Sequence, residues 1–68
     1  MSEEQTITLK PRHYEKLGAV HCAVTRDGFV AVAGDVREIA DGETITIERS
    51  RISVTRRGDD YTFARLAD

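Results

Sequence analysis

Apolar and polar positions alternate along most of this chain of 68 residues. A period of two is the pattern of a strand with one face buried. The alternation is cleanest after Glu43, in "ETITIE", "RISVTR" and "YTFARLA". There Ile45, Ile47, Ile52, Val54, Tyr61 and Phe63 share one face, while Thr44, Thr46, Glu48, Arg51, Ser53, Thr55, Thr62 and Ala64 share the other. A loop at residues 48–51 sets Ile47 opposite Ile52 and Ile45 opposite Val54, so apolar pairs line up across a three-stranded meander. At the next turn, a Gly58-Asp59 loop sets Arg57 opposite Asp60, whereas an Arg57-Gly58 loop sets Arg56 opposite Asp59.

Earlier segments give further elements. "TITLK" (6–10) alternates and is β-branched, which predicts a short strand. In "PRHYEKLG", Pro11 suits a first helical position and Gly18 the residue just past a helix end. Tyr14 and Leu17, three apart, would share one side of a helix over 11–17, too short to persist without packing on a sheet. Beyond Gly18 the pattern is β throughout. "AVHCAVTR" and "FVAVAG" flank Asp27-Gly28, a strong hairpin signal, and "VREIA" and "ETITIE" flank Asp41-Gly42. The expected fold is mainly β, a small antiparallel barrel or sandwich of five to six strands with one short N-terminal helix. Residues 1–5 read as a disordered polar leader and residues 6–68 as a single small β domain.

The hairpin over residues 19–34 departs from the one-sided pattern. Val20, Cys22 and Val24 point one way, yet Ala19, Ala23 and Thr25 opposite are small and uncharged. The return strand puts Phe29, Ala31 and Ala33 on one face and Val30 and Val32 on the other. A strand apolar on both faces expects cover on both. This predicts self-association as a symmetric homodimer or small ring, with Val20, Cys22, Val24, Phe29, Val30 and Val32 as the interface. The competing expectation is a monomer in which the helix at 11–17 covers the second face.

Composition narrows the function classes. A domain this small buries only about 60% of its unfolded surface, so its core has little to spare. Apolar residues at 40% and charged residues at 32% are a globular balance. No apolar run is long enough for a membrane-spanning helix, and the N-terminal residues lack the basic and apolar regions of a signal peptide. With the single Cys22, this predicts a cytoplasmic protein. The net charge of −2 weighs against a general nucleic-acid binder.

Candidate chemistry is sparse. "ERSRISVTRR" (48–57) holds four arginines, but alternation sends Arg49 and Arg51 to one strand end and Arg56 and Arg57 to the other, about 20 Å apart. Residues 43–68 carry five arginines against five acids. The expectation is a solvated sheet face. The alternative is a nucleic-acid face of Arg49, Arg51, Ser53, Thr55 and Arg57, which lacks exposed rings for base stacking because Tyr61 and Phe63 point inward. His13, His21 and Cys22 are the only soft metal ligands, and the neighbours His21 and Cys22 diverge from a strand, so neither a zinc site nor a Cys-His nucleophile is expected. There is no phosphate-binding glycine loop and no catalytic serine or zinc motif. Arg57-Gly58-Asp59 matches an adhesion tripeptide in a turn where such residues are common. Val24-Thr25-Arg26-Asp27-Gly28 echoes Val54-Thr55-Arg56-Arg57-Gly58 at four of five positions, too short to mark a repeat.

The function expected from these features is a small non-enzymatic binding or assembly module working through protein–protein contacts, with no cofactor, metal or membrane partner. Nucleic-acid binding is the alternative. Inhibition of a larger complex by a phage- or plasmid-type small protein is a third reading.

Overall fold

The computed structural model describes residues 5–66. The expected leader falls largely on residues 1–4, which lie outside that range. Gln5 already belongs to a strand. Eight strands follow one another: β1 (Gln5–Leu9), β2 (Tyr14–Leu17), β3 (Val20–Val24), β4 (Val30–Val32), β5 (Asp35–Arg37), β6 (Thr44–Ile47), β7 (Ile52–Arg57) and β8 (Asp60–Arg65). They form two antiparallel sheets of four strands, sheet I in the order β1-β8-β7-β6 and sheet II in the order β2-β3-β4-β5. Every ladder joins sequence neighbours except β1–β8, which brings the two ends of the described chain together.

Sheet I follows the alternation read from the sequence. Ile47 pairs with Ile52 and Ile45 with Val54. Of the two registers open at the last turn, the chain takes Arg57 opposite Asp60. Gly58 supplies the positive φ (61°) at the first of its two loop positions, the arrangement of a type II′ hairpin.

The N-terminal helix is absent. Lys10-Pro11-Arg12-His13 is a turn closed by the His13 N–H on the Lys10 carbonyl at 2.9 Å. Pro11 holds its second position, where a fixed φ near −65° is as useful as at a helix start. Arg12 takes the third at φ 73°. Gly18, at φ 65°, opens a two-residue hairpin between Leu17 and Val20 instead of ending a helix. The two punctuating residues therefore bracket a strand, and Tyr14 and Leu17, an odd number apart, point to opposite faces. Leu17 is buried and Tyr14 exposed.

A second difference lies at Asp41-Gly42. The segment before it pairs with β4 as β5, and the segment after it pairs with β7 as β6. The Asp41-Gly42 turn is a corner between sheets, not a hairpin. With β2 and a separate β5, the strand count rises to eight.

Both sheets bury their inner faces in one core. Leu9, Ile47, Ile52, Val54, Tyr61 and Phe63 come from sheet I, Leu17, Cys22, Val24, Val30 and Val32 from sheet II, and Ile39 from the corner segment. No buried side-chain nitrogen or oxygen among the described residues lacks a partner.

Candidate functional site

The two outer faces are the surfaces on which function must be sought. On sheet I, rows run across the strands: Thr8, Thr62, Thr55 and Thr44 form one, and Thr6, Ala64, Ser53 and Thr46 the next. Hydroxyls are shared within the first row, Thr8 with Thr62 at 3.3 Å and Thr44 with Thr55 at 3.0 Å. β-branched side chains suit an exposed pleated surface, and these pairs satisfy much of their own hydrogen bonding.

The arginines of the nucleic-acid alternative do not converge on this face. Arg49 and Arg51 lie within the loop at residues 48–51, with Arg49 3.9 Å from Asp35. Arg57 stands at the far end of β7. Asp60, directly opposite Arg57, pairs with Lys10 at 2.6 Å, and that hydrogen bond raises the Lys10 pKa. Ser53 and Thr55 are half-buried between neighbouring strands. Tyr61 and Phe63 are 1% and 0% exposed, so this face offers no ring to stack a base.

Arg56 has a role the charge pattern hides. It shares the inward parity of Ile52 and Val54, and that parity is the signal by which the sequence could have revealed it. Its guanidinium lies 5.4 Å from the centre of the Tyr61 ring. It donates to the Ile39 carbonyl and to the Gly58 carbonyl, each at 3.0 Å. The Gly42 N–H donates to the Arg56 carbonyl at 2.7 Å, and the Arg56 N–H to Glu43 at 3.0 Å. Asp41 accepts from the Gly58 N–H at 2.7 Å. The corner over residues 38–43 is thus strapped to β7. The echo of residues 24–28 in 54–58 has no structural counterpart: Gly28 closes a three-residue bulged loop, whereas Gly58 opens a two-residue turn.

Sheet II changes the reading of the doubly apolar hairpin. Cys22, Val24, Val30 and Val32, expected at a self-association interface, are at most 2% exposed within a single chain, and Val20 packs against the same core. Sheet I covers them, so they cannot meet a second copy while the chain is folded. Of that set Phe29 stays exposed and Val20 half-buried. Burial pushes the Cys22 thiol pKa up, and its neighbour His21 is exposed on the other face. Among the described residues no group of three or more His, Cys, Asp or Glu is placed to hold a metal ion. No helix there is long and apolar enough to cross a membrane.

The uncovered face of the hairpin is the alanine face. Cross-strand pairing aligns Tyr14, Ala23, Ala31 and Val36 in one row across all four strands of sheet II. Tyr14 is 61% exposed, Val36 58% and Phe29 36%, and Phe29, two residues before Ala31, lies on this side as well. Three of the four large exposed apolar side chains among the described residues therefore share one sheet face. The Tyr14 hydroxyl is 2.5 Å from His21 Nδ1 and the rings stack at 5.7 Å, which fixes the tyrosine over β3. Lys16 sits beside His21 in the adjoining row. At the opposite end a cleft of about 460 Å³ is lined by Asp27, Gly28, Phe29, Glu38, Ile39, Ala40, Glu43 and Arg56. Compared with known protein families, curated proteins and solved structures, the chain has no match.

Proposed function

We propose that this protein is a non-enzymatic protein-contact module and that the outer face of sheet II is its contact surface. The observation that carries the reading is the gathering of Tyr14, Phe29 and Val36 around Ala23 and Ala31 on one sheet face. Solvated strands usually alternate apolar-in with polar-out, as sheet I does. Contiguous exposed apolar side chains rimmed by charge mark interaction sites, and aromatic residues are enriched in the centres of such sites. The homodimer or small ring expected from the sequence is one form of such contact, now carried by the alanine face and not the valine face.

The test is site-specific photo-cross-linking in the full chain, in cells that express it naturally. A photoreactive residue in place of Val36 is expected to join the protein to another polypeptide, and one in place of Thr46, on sheet I, is not. Cross-links from Thr46 alone, or from neither position, would refute the reading. The nucleic-acid alternative predicts binding that weakens steeply with salt and is lost on changing Arg51 and Arg57 to Ala.

A further inference from the structure

We draw no further inference here: the strongest candidate, the cleft beside Phe29 lined by Asp27, Glu38, Glu43 and Arg56, carries nothing, because Glu43 already accepts from the Ala40 N–H, Arg56 already donates to the carbonyls of Ile39 and Gly58, and no buried polar side chain among the described residues lacks a partner there.

Discussion

The two sheets have the same architecture and opposite exteriors. Each has four antiparallel strands, and apolar side chains from the inner sides of both build one core. Outside, sheet I presents threonines whose hydroxyls pair with one another, and sheet II presents alanines between a tyrosine and a valine. Folding explains both inner faces and the outer face of sheet I, which needs only to be wet. It does not explain exposed Tyr14 and Val36, which cost solubility and add nothing to the core. The contrast separates what the fold requires from what it leaves free.

The largest effect should come from the shared core. Phe63→Ala removes a fully buried ring and is expected to cost about 3–5 kcal/mol in urea unfolding. For so small a domain that is enough to unfold most of the population. A loss below about 1 kcal/mol would mean that the inner faces are not the common core described.

Next is the strap between the sheets. Arg56→Ala should cost about 1–3 kcal/mol, because the Ile39 carbonyl loses its donor and Tyr61 its cover. Hydrogen exchange of the Gly42 amide should quicken more than that of strand amides such as Val54. Equal acceleration at both would show that Arg56 does not hold the corner.

The hairpin turns sharpen the comparison from the other direction. Sheet I turns on Gly58, whereas the β4–β5 hairpin of sheet II places Ala33 at φ 49° ahead of Gly34 at 90°. Both loop positions are left-handed, the type I′ pattern that favours Asn-Gly. Ala33→Asn should therefore stabilise by about 0.5–1 kcal/mol. A destabilised variant would mean that the alanine methyl makes a contact worth more than its strain.

The smallest effect belongs to the solvated face. Thr55→Val removes one hydroxyl of the pair with Thr44 and should change stability by less than about 1 kcal/mol. Capture from position 36 should be unchanged. A strong fall in capture would move the contact surface to sheet I.

Sheet I was legible in the sequence because its two faces differ so sharply. A one-residue slip would bury Thr46, Ser53 and Thr62, so the Ile47–Ile52 and Ile45–Val54 pairs were fixed by alternation and loop length. The N-terminal region was not legible. "YEKL" buries only Leu17, which is too little to show a period, and Pro11 and Gly18 serve turns as well as helix ends. The corner at Asp41-Gly42 resembles a hairpin locally, and only pairing with distant strands distinguishes them.

Of the candidate contact surface, the sequence revealed that the 19–34 hairpin is apolar on both sides. It could not say which side the other sheet would take. The larger valines went inward, where they bury more area, and the alanines stayed out. Tyr14 and Val36 joined that face through cross-strand register alone, a long-range property that no local pattern encodes.

The β1–β8 ladder sets Gln5 directly opposite Arg65. In mechanical terms, a pull applied at these two points acts across the ladder, along its hydrogen bonds, and parts them one pair at a time instead of shearing them together. The same ladder is the only one that closes the chain end to end. Tension on the flanking chain would therefore peel β1 from β8 first, expose the edge of β8 and open the core at Leu9 and Tyr61, while sheet II, with its outer face, bears no direct load.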